Sequence, residues 1–132
     1  MSVKKATPVL FVAAIEPVLK FWERLGFQKT IEVPEGNRLG FVILQQGAVE
    51  LMYQTYTSGD SDAGQAMSEW FRKGPTFLYV EVESLDEVLA AMQDLPKTME
   101  VRTTFYGARE FGVRDPGGHF VTFAQMGVPP TN

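Results

Sequence analysis

Residues 7–27, "TPVLFVAAIEPVLKFWERLGF", contain the pattern that decides the fold. The first eight residues are rich in residues that favour β-strands. In the remainder, Val18, Phe21, Trp22 and Leu25 recur at the spacing of one helix face. The stretch therefore predicts a short strand followed by an amphipathic helix.

The same pattern returns about seventy residues later, in "TFLYVEVESLDEVLAAMQDL" at 76–95, where Ser84 and Glu87 form a capping box. Superposing Val12 on Val82 aligns the apolar positions of the two helices. Three β-rich segments follow each helix: "QKTIEV", "RLGFVILQQ" and "AVELMYQ", then "TMEVRTT", "AREFGVR" and "HFVTFAQ". Two unrelated amphipathic helices could agree by chance, but the matching order of elements favours a repeat.

We predict an α+β fold in which two βαβββ repeats form curved mixed sheets around a concave groove, with the helices on the outer face. A single domain spans residues 1–132, with repeat one at 7–54, a linker containing a short helix at 55–75, and repeat two at 76–125. Within the linker, "TSGDSDAG" is predicted to be a polar connection and "QAMSEWFRKG" the helix. A groove between two sheets is a place where ligands bind.

The composition excludes several classes of protein. The 132 residues include no cysteine, so disulfides, thiolate metal sites and cysteine nucleophiles are excluded. A net charge of −4 argues against binding to a nucleic-acid backbone. The apolar run near the start is too short for a signal peptide, and no run reaches the ~20 residues of a membrane span. We expect a cytoplasmic protein with no membrane or nucleic-acid partner.

The only histidine, His119, follows a "DPGG" turn at residues 115–118. It is either a metal ligand or the residue that starts the last strand. His119 lies three residues before Thr122, an odd separation, so the two side chains lie on opposite faces of a regular strand. We therefore predict a histidine at the surface or at the edge of the turn, and a turn whose role is structural.

Two segments carry a family resemblance, the opening stretch quoted above and "YGAREFGVRDPGGHFVTF" at 106–123. They resemble the vicinal oxygen chelate superfamily (glyoxalase, bleomycin resistance and dioxygenase proteins), and most closely the bleomycin resistance proteins. The likeness covers residues 7–125. It implies a homodimer with ligand grooves at the subunit interface, where a drug is sequestered without chemistry.

Metal-dependent members of this superfamily use four ligand positions, which the resemblance aligns here with Thr7, Glu50, Phe77 and Thr122. Only Glu50 is a typical ligand, whereas a divalent site normally needs at least three suitable groups. We predict no metal and no cofactor, with Glu50 as the ligand if there is one. Glu50 as a general base, or as a carboxylate with a structural role, remains open.

Counted from the four positions that the resemblance aligns, strand alternation predicts the residues that line the groove. They are Phe11, Glu50, Met52, Phe77, Tyr79, Glu81 and Phe120. The resemblance adds Tyr106, which matches a tryptophan that stacks on the drug, and Arg38, which falls near a phenylalanine of the drug groove. Alternatively, the aromatic residues fill a dry core between the repeats. The two glutamates argue against that, because burying unpaired carboxylates is costly.

Aromatic faces beside carboxylates suit a planar, cationic ligand. We therefore predict a small-molecule binding protein without catalytic residues, like the bleomycin resistance proteins. The alternatives are a metal-dependent lyase or dioxygenase built around Glu50, and a domain whose ligand is a signal. The missing metal ligands favour the first interpretation over the enzyme.

Overall fold

The computed structural model describes residues 1–128, apart from the side chain of Gln65. The chain divides into two compact units, Met1–Gly74 and Pro75–Asn132. The first unit contains β1 (Val9–Val12), α1 (Glu16–Glu23), β2 (Gln28–Glu35), β3 (Arg38–Gln46), β4 (Val49–Thr55), α2 (Tyr56–Ala63) and α3 (Gln65–Phe71). The second contains β5 (Phe77–Glu81), α4 (Leu85–Ala91), β6 (Lys97–Thr103), β7 (Ala108–Arg114) and β8 (Phe120–Met126).

Each unit is built around one four-stranded mixed sheet. The strand order is β1-β4-β3-β2 in the first unit and β5-β8-β7-β6 in the second. In both, the first strand pairs in parallel with the last, and the other pairs are antiparallel. The predicted α+β fold of two βαβββ repeats is confirmed, and the matching strand orders exclude a chance likeness of two helices.

Helix α1 packs through the apolar face that its spacing predicts. Val18, Phe21 and Trp22 are buried, and Pro17 occupies the first turn, where the missing backbone N–H leaves no bond unmade. The indole Nε1–H of Trp22 donates a hydrogen bond to the Tyr53 hydroxyl at 2.9 Å. The bond connects α1 to the face of the first sheet on which the Tyr53 side chain lies.

Helix α4 begins as its capping pattern predicts. The hydroxyl of Ser84 accepts a hydrogen bond from the backbone N–H of Glu87 at 3.3 Å. Leu85 and Val88 form the buried face of the helix. The helix ends at Ala91, earlier than the apolar pattern through Leu95 suggests.

The polar segment after β4 differs from the prediction. Residues 56–63, expected to be an irregular connection, form the helix α2. The Thr55 side chain caps this helix by accepting a hydrogen bond from the Ser58 N–H at 3.1 Å. Gly59 lies so close to Phe11 that an added Cβ would come within 2.8 Å of the ring. Tertiary packing and the cap thus form a helix that the polar composition alone does not predict.

His119 lies at the edge of the turn, as predicted, because its carbonyl accepts a hydrogen bond from the Asp115 N–H at 2.8 Å and β8 begins at the next residue. Only 4% of the residue is exposed, so it does not lie at the surface. Its Nδ1 accepts a hydrogen bond from the Thr76 backbone N–H at 2.8 Å, and its own N–H donates to Asp115 Oδ1 at 2.8 Å. His119 therefore connects the start of β5 to the turn before β8. The predicted surface position was wrong because alternation identifies the face of a strand but not what covers it.

Candidate functional site

A buried carboxylate, Glu110, organises one face of the second sheet. Glu110 lies in β7 on the face opposite the neighbouring Phe111, and only 1% of it is exposed. Its Oε2 accepts hydrogen bonds from the hydroxyls of Tyr79 at 2.8 Å and Tyr106 at 3.1 Å. Its Oε1 accepts from the Arg102 guanidinium, through Nε at 3.0 Å and Nη2 at 2.8 Å. We call these four residues the Glu110 network.

The network keeps Glu110 ionised and Tyr79 protonated. Burial would raise the pKa of Glu110, but hydrogen bonds from Arg102, Tyr79 and Tyr106 outweigh it and hold that pKa below its usual value. Burial of the hydroxyl, then the neighbouring Tyr106 hydroxyl and Glu110 carboxylate, raise the pKa of Tyr79 well above its ordinary value. The phenol therefore stays a hydrogen-bond donor to the carboxylate at neutral pH.

Aromatic side chains surround this network on the face of the sheet that carries Tyr79. Phe77 stacks on Phe120 with ring centroids 5.0 Å apart, and the register that pairs these residues also pairs Tyr79 with Thr122. The exposed fractions are 74% for Phe77, 49% for Tyr79 and 51% for Tyr106. We call Phe77, Tyr79, Tyr106 and Phe120 the aromatic face.

Charged groups border the aromatic face. Glu81 is exposed on the same side of β5 as Tyr79, two residues away, and forms no ion pair with the described residues. The guanidinium carbon of Arg114 lies 4.9 Å from the centroid of the Phe120 ring. The guanidinium of Arg114 is a planar cation, and it makes a cation–π contact with the Phe120 ring of this face.

In the first unit, Glu50 is neutralised by its neighbours. Its Oε1 lies 3.0 Å from the Lys5 ammonium and accepts a hydrogen bond from the Thr7 hydroxyl at 3.1 Å. The hydrogen bond with Lys5, opposed by partial burial, holds the pKa of Glu50 below its usual value. This arrangement stabilises the ionised carboxylate, whereas a general base at neutral pH needs a raised pKa.

The other predicted residues of the first unit are spread along its sheet. Met52 pairs with Ile43, and Phe11 stacks on Phe71 of α3 with centroids 4.1 Å apart. Arg38 starts β3, seven residues before the residue opposite Glu50, which is roughly 23 Å at the rise of a strand. The structure thus does not bring Arg38 and Glu50 together, and Phe11 has an aromatic partner within the protein.

A cleft of about 470 Å³ lies beside α2 in the first unit. Its lining combines apolar residues with carboxylates, hydroxyls and an amide: Val33, Pro34, Glu35, Gly40, Phe41, Gln54, Ser58, Ser61 and Asp62. The Gln54 amide donates to Ser58 at 3.0 Å, and Glu35 accepts from the Thr55 hydroxyl at 3.1 Å. Sequence reasoning missed this cleft because the helix that forms one wall was not expected.

The four positions that align with metal ligands do not offer a suitable donor set. Phe77 has no donor atom, Thr122 lies between Tyr79 and Gly112 in the sheet, and Thr7 donates its hydroxyl proton to Glu50. Within residues 1–128, no three His, Asp or Glu side chains are grouped so that they could hold a metal ion. The residues present do not fit a divalent metal of the kind the superfamily implies.

The structure brings together five of the nine predicted site residues on one sheet face: Phe77, Tyr79, Glu81, Tyr106 and Phe120. Sequence reasoning missed Glu110 and Arg102. A signal for Glu110 was available, because Phe111 and Val113 are core positions of β7, and alternation places Glu110 and Gly112 on the opposite face. No comparable signal identifies Arg102, since β6 has irregular register.

Residues 6–123 match the Glyoxalase/Bleomycin resistance protein/Dioxygenase superfamily. The chain belongs to this superfamily, because the match covers most of its length and the fold is the repeated βαβββ unit. The closer likeness to bleomycin resistance proteins stays a prediction.

Several solved structures share the fold. A glyoxalase/bleomycin resistance protein/dioxygenase from Nocardioides is 18% identical with a TM-score of 0.73, covering 100% of this chain and 91% of that one. A lactoylglutathione lyase from Agrobacterium tumefaciens is 14% identical with a TM-score of 0.73, covering 95% of each chain. A bleomycin-binding protein in complex with bleomycin is 19% identical with a TM-score of 0.63, covering 93% and 98%. At these identities the likeness shows the fold alone.

A comparison with curated proteins found no match. Among the described residues, no helix has the length and apolar character needed to cross a membrane.

Proposed function

We propose that this protein binds and sequesters a planar, cationic small molecule without changing it chemically. The observation that carries the proposal is the aromatic face, where Phe77, Tyr79 and Tyr106 remain substantially exposed around a rigid hydrogen-bond network. Aromatic rings that keep about half or more of their surface exposed are groups on which a flat ligand can stack.

The energetics favour a ligand that is both planar and positively charged. Offset stacking contributes ~0.5–1.5 kcal/mol per ring pair beyond the burial of area. A cation over an aromatic ring contributes ~0.5–1 kcal/mol at exposed sites, and more where water is excluded. Glu81 supplies a carboxylate that forms no ion pair within residues 1–128. The guanidinium of Arg114 over the Phe120 ring illustrates the geometry that a cationic ligand would adopt.

Sequestration without chemistry is supported by the character of the ionisable groups. Glu110 is committed to three hydrogen-bonding side chains, and Glu50 to Lys5 and Thr7, and both pKa values are lowered. Neither carboxylate is therefore poised for proton transfer near neutral pH. The bleomycin-binding protein that shares the fold gives one example of the class. Phe11, Arg38, Glu50 and Met52 of the first unit are not needed for this proposal.

The test is fluorescence titration with proflavine, a planar tricyclic cation, beside acridone, an uncharged ring system of similar size. We expect proflavine to bind and acridone to bind more weakly. At a hundredfold excess over Kd, the bound ligand should stabilise the fold by ~2.7 kcal/mol, a rise in Tm of several degrees. The dye recovered after denaturation should be chemically unchanged.

Substitutions test whether the ligand binds at the aromatic face. Phe77→Ala should weaken proflavine roughly tenfold, the equivalent of one stacked ring. Glu81→Gln should weaken proflavine more than acridone. Trp70→Ala is the matched control, because Trp70 is exposed on α3 of the first unit, outside the aromatic face. Equal losses in Phe77→Ala and Trp70→Ala would contradict the assignment.

We further propose that the protein acts as a homodimer in the cytoplasm. Large apolar side chains remain exposed in both units, including Ile31 and Phe105, the latter with 94% of its surface accessible. Such residues are common at subunit interfaces. Sedimentation velocity at micromolar concentration should give twice the chain mass of 14.7 kDa, and a monomer mass would overturn the proposal.

A further inference from the structure

The two tyrosines of the aromatic face share one acceptor. The hydroxyls of Tyr79 and Tyr106 both donate to Glu110 Oε2, while Arg102 donates only to Oε1. The Glu110 carboxylate therefore accepts hydrogen bonds from three side chains, which lie in β5, β6 and the turn before β7. Because Glu110 is buried, it reaches these partners from beneath the aromatic face.

Sharing this acceptor has a consequence for recognition. A phenol has a single proton, so a tyrosine that donates to Glu110 has no donor left for a ligand. Its oxygen still carries lone pairs that accept hydrogen bonds. Since the raised pKa of Tyr79 keeps the phenol protonated and the lowered pKa of Glu110 keeps the carboxylate ionised, the direction of the hydrogen bond does not reverse near neutral pH.

We propose that Glu110 determines which ligands the aromatic face accepts, by making Tyr79 and Tyr106 acceptors toward anything bound there. The ligand class is then planar molecules with N–H donors on their edge, such as ring amines or amidinium groups. Ligands whose edge carries only acceptors or alkyl groups are disfavoured. Glu110 is a positioning residue in this scheme, and need not touch the ligand.

This inference rests on the proposed function and adds the chemistry of the ligand's edge. Both hydroxyls can be reached from outside, because about half of the surface of Tyr79 and Tyr106 is exposed. A ligand stacked on a neighbouring ring of the face would bring its edge toward these oxygens. Exocyclic amines at that edge would donate hydrogen bonds to the lone pairs that remain on the Tyr79 and Tyr106 oxygens.

The experiment compares proflavine with acridine orange, in which both amino groups are dimethylated. The two dyes share ring system and positive charge, but acridine orange has no exocyclic N–H donor. One hydrogen bond corresponds to a factor of roughly three to ten in affinity. We therefore expect proflavine to bind at least about tenfold more tightly if both oxygens are used.

Variants separate hydrogen bonding from the bulk of the added methyl groups. Tyr79→Phe and Tyr106→Phe retain the rings and remove one oxygen each, so each should lower the affinity ratio of the two dyes by at least about threefold. Glu110→Gln should also lower the ratio, because a carboxamide has only one acceptor oxygen and releases tyrosine protons. Tyr56→Phe is the control, since the Tyr56 hydroxyl in the first unit forms no hydrogen bond with the described residues.

The ratio is the readout because a general loss of structure lowers both affinities alike. Circular dichroism checks folding, and if Glu110→Gln does not fold, the two phenylalanine variants carry the test. A ratio near one in the unsubstituted protein, with both dyes bound, would overturn this inference and leave the proposed function standing. A high ratio that survives both phenylalanine substitutions would also overturn it. Failure of both dyes to bind would overturn the inference and the proposed function together.

Discussion

The two units share a topology, and in each a helix follows the first strand: α1 in the first unit and α4 in the second. The units differ in what covers the opposite face of the sheet. In the first unit, Tyr53 contacts α1 and the next residue, Gln54, contacts α2, so the two helices pack on opposite faces. Phe11, on the face with α2, stacks on Phe71. In the second unit, the corresponding face keeps Phe77 and Tyr79 exposed.

This difference shows how one repeated architecture can separate stability from binding. Aromatic side chains that pack on a helix contribute to the folded core, whereas those left exposed are available to a ligand. The Glu110 network allows the second face to remain exposed, because hydrogen bonds fix its tyrosines without covering them.

The largest effect on stability should come from the Glu110 network. Arg102→Met leaves a buried carboxylate with only its two tyrosine donors. We expect a loss of ~2 kcal/mol in the free energy of unfolding, below the full cost of breaking a buried pair because Arg102 is itself more than half exposed. Urea denaturation measures it.

Arg109→Met is the control for that experiment. Arg109 also lies in the second sheet, but its partner Asp86 is largely exposed. A surface ion pair of this kind contributes little, so the change should stay within ~0.5 kcal/mol. Equal losses for the two arginines would show that the Glu110 network does not stabilise the second sheet.

The face of the first sheet that packs against α2 and the aromatic face of the second sheet should respond differently to loss of an aromatic ring. Phe11→Ala removes a ring packed against Phe71 and Gly59, and should destabilise the protein by ~2 kcal/mol. Phe77→Ala removes a largely exposed ring, and should change stability by ~0.5 kcal/mol or less. Thermal unfolding of both variants measures the contrast, and a larger loss for Phe77→Ala would mean that the second face is covered in solution.

Acid should weaken the second unit through Glu110. The pKa of Glu110 is lower in the folded protein than in the unfolded chain, so ionisation contributes stability above the unfolded pKa of ~4.3. That contribution is lost as the pH falls through the folded pKa. In Glu110→Gln, unfolding free energy measured between pH 6 and 3 should fall less steeply than in the original protein. Parallel curves would contradict the assignment.

The smallest effect concerns the ion pair between α2 and α3. Hydrogen bonds from Arg72 and Ser68 lower the pKa of Asp60 to about 2. Arg72→Met should return that pKa toward the ordinary value of an aspartate, which is higher, while leaving the Tm nearly unchanged because the pair is on the surface. NMR of the carboxyl carbon measures the titration, and an unchanged midpoint would show that the pair does not form in solution.

The repeat pattern was enough to predict the strands, the helices α1 and α4, and the placement of Tyr79 and Glu81 on one side of β5. The bounds of β3 and β7 agree with the segments chosen from the sequence. These features depend on local spacing, cap residues and turn residues, which act over a few positions along the chain.

Other features depend on contacts between distant residues. Helix α2 forms where Gly59 meets Phe11 and Phe71, and His119 is buried because Nδ1 accepts from Thr76, 43 residues away. Neither contact leaves a periodic signal in the sequence. The predictions of a polar connection at α2 and of a surface position for His119 were wrong for this reason.

Glu110 shows where the boundary between local pattern and tertiary structure lies. Alternation along "AREFGVR" determines that its side chain lies opposite the core residues Phe111 and Val113. Only the folded sheet determines that Arg102, Tyr79 and Tyr106 meet there, because strand pairing and a turn bring these residues together in space. Local sequence specifies the direction of a side chain within its own strand, whereas its partners, charge state and exposure arise from the packing of strands that are distant in sequence.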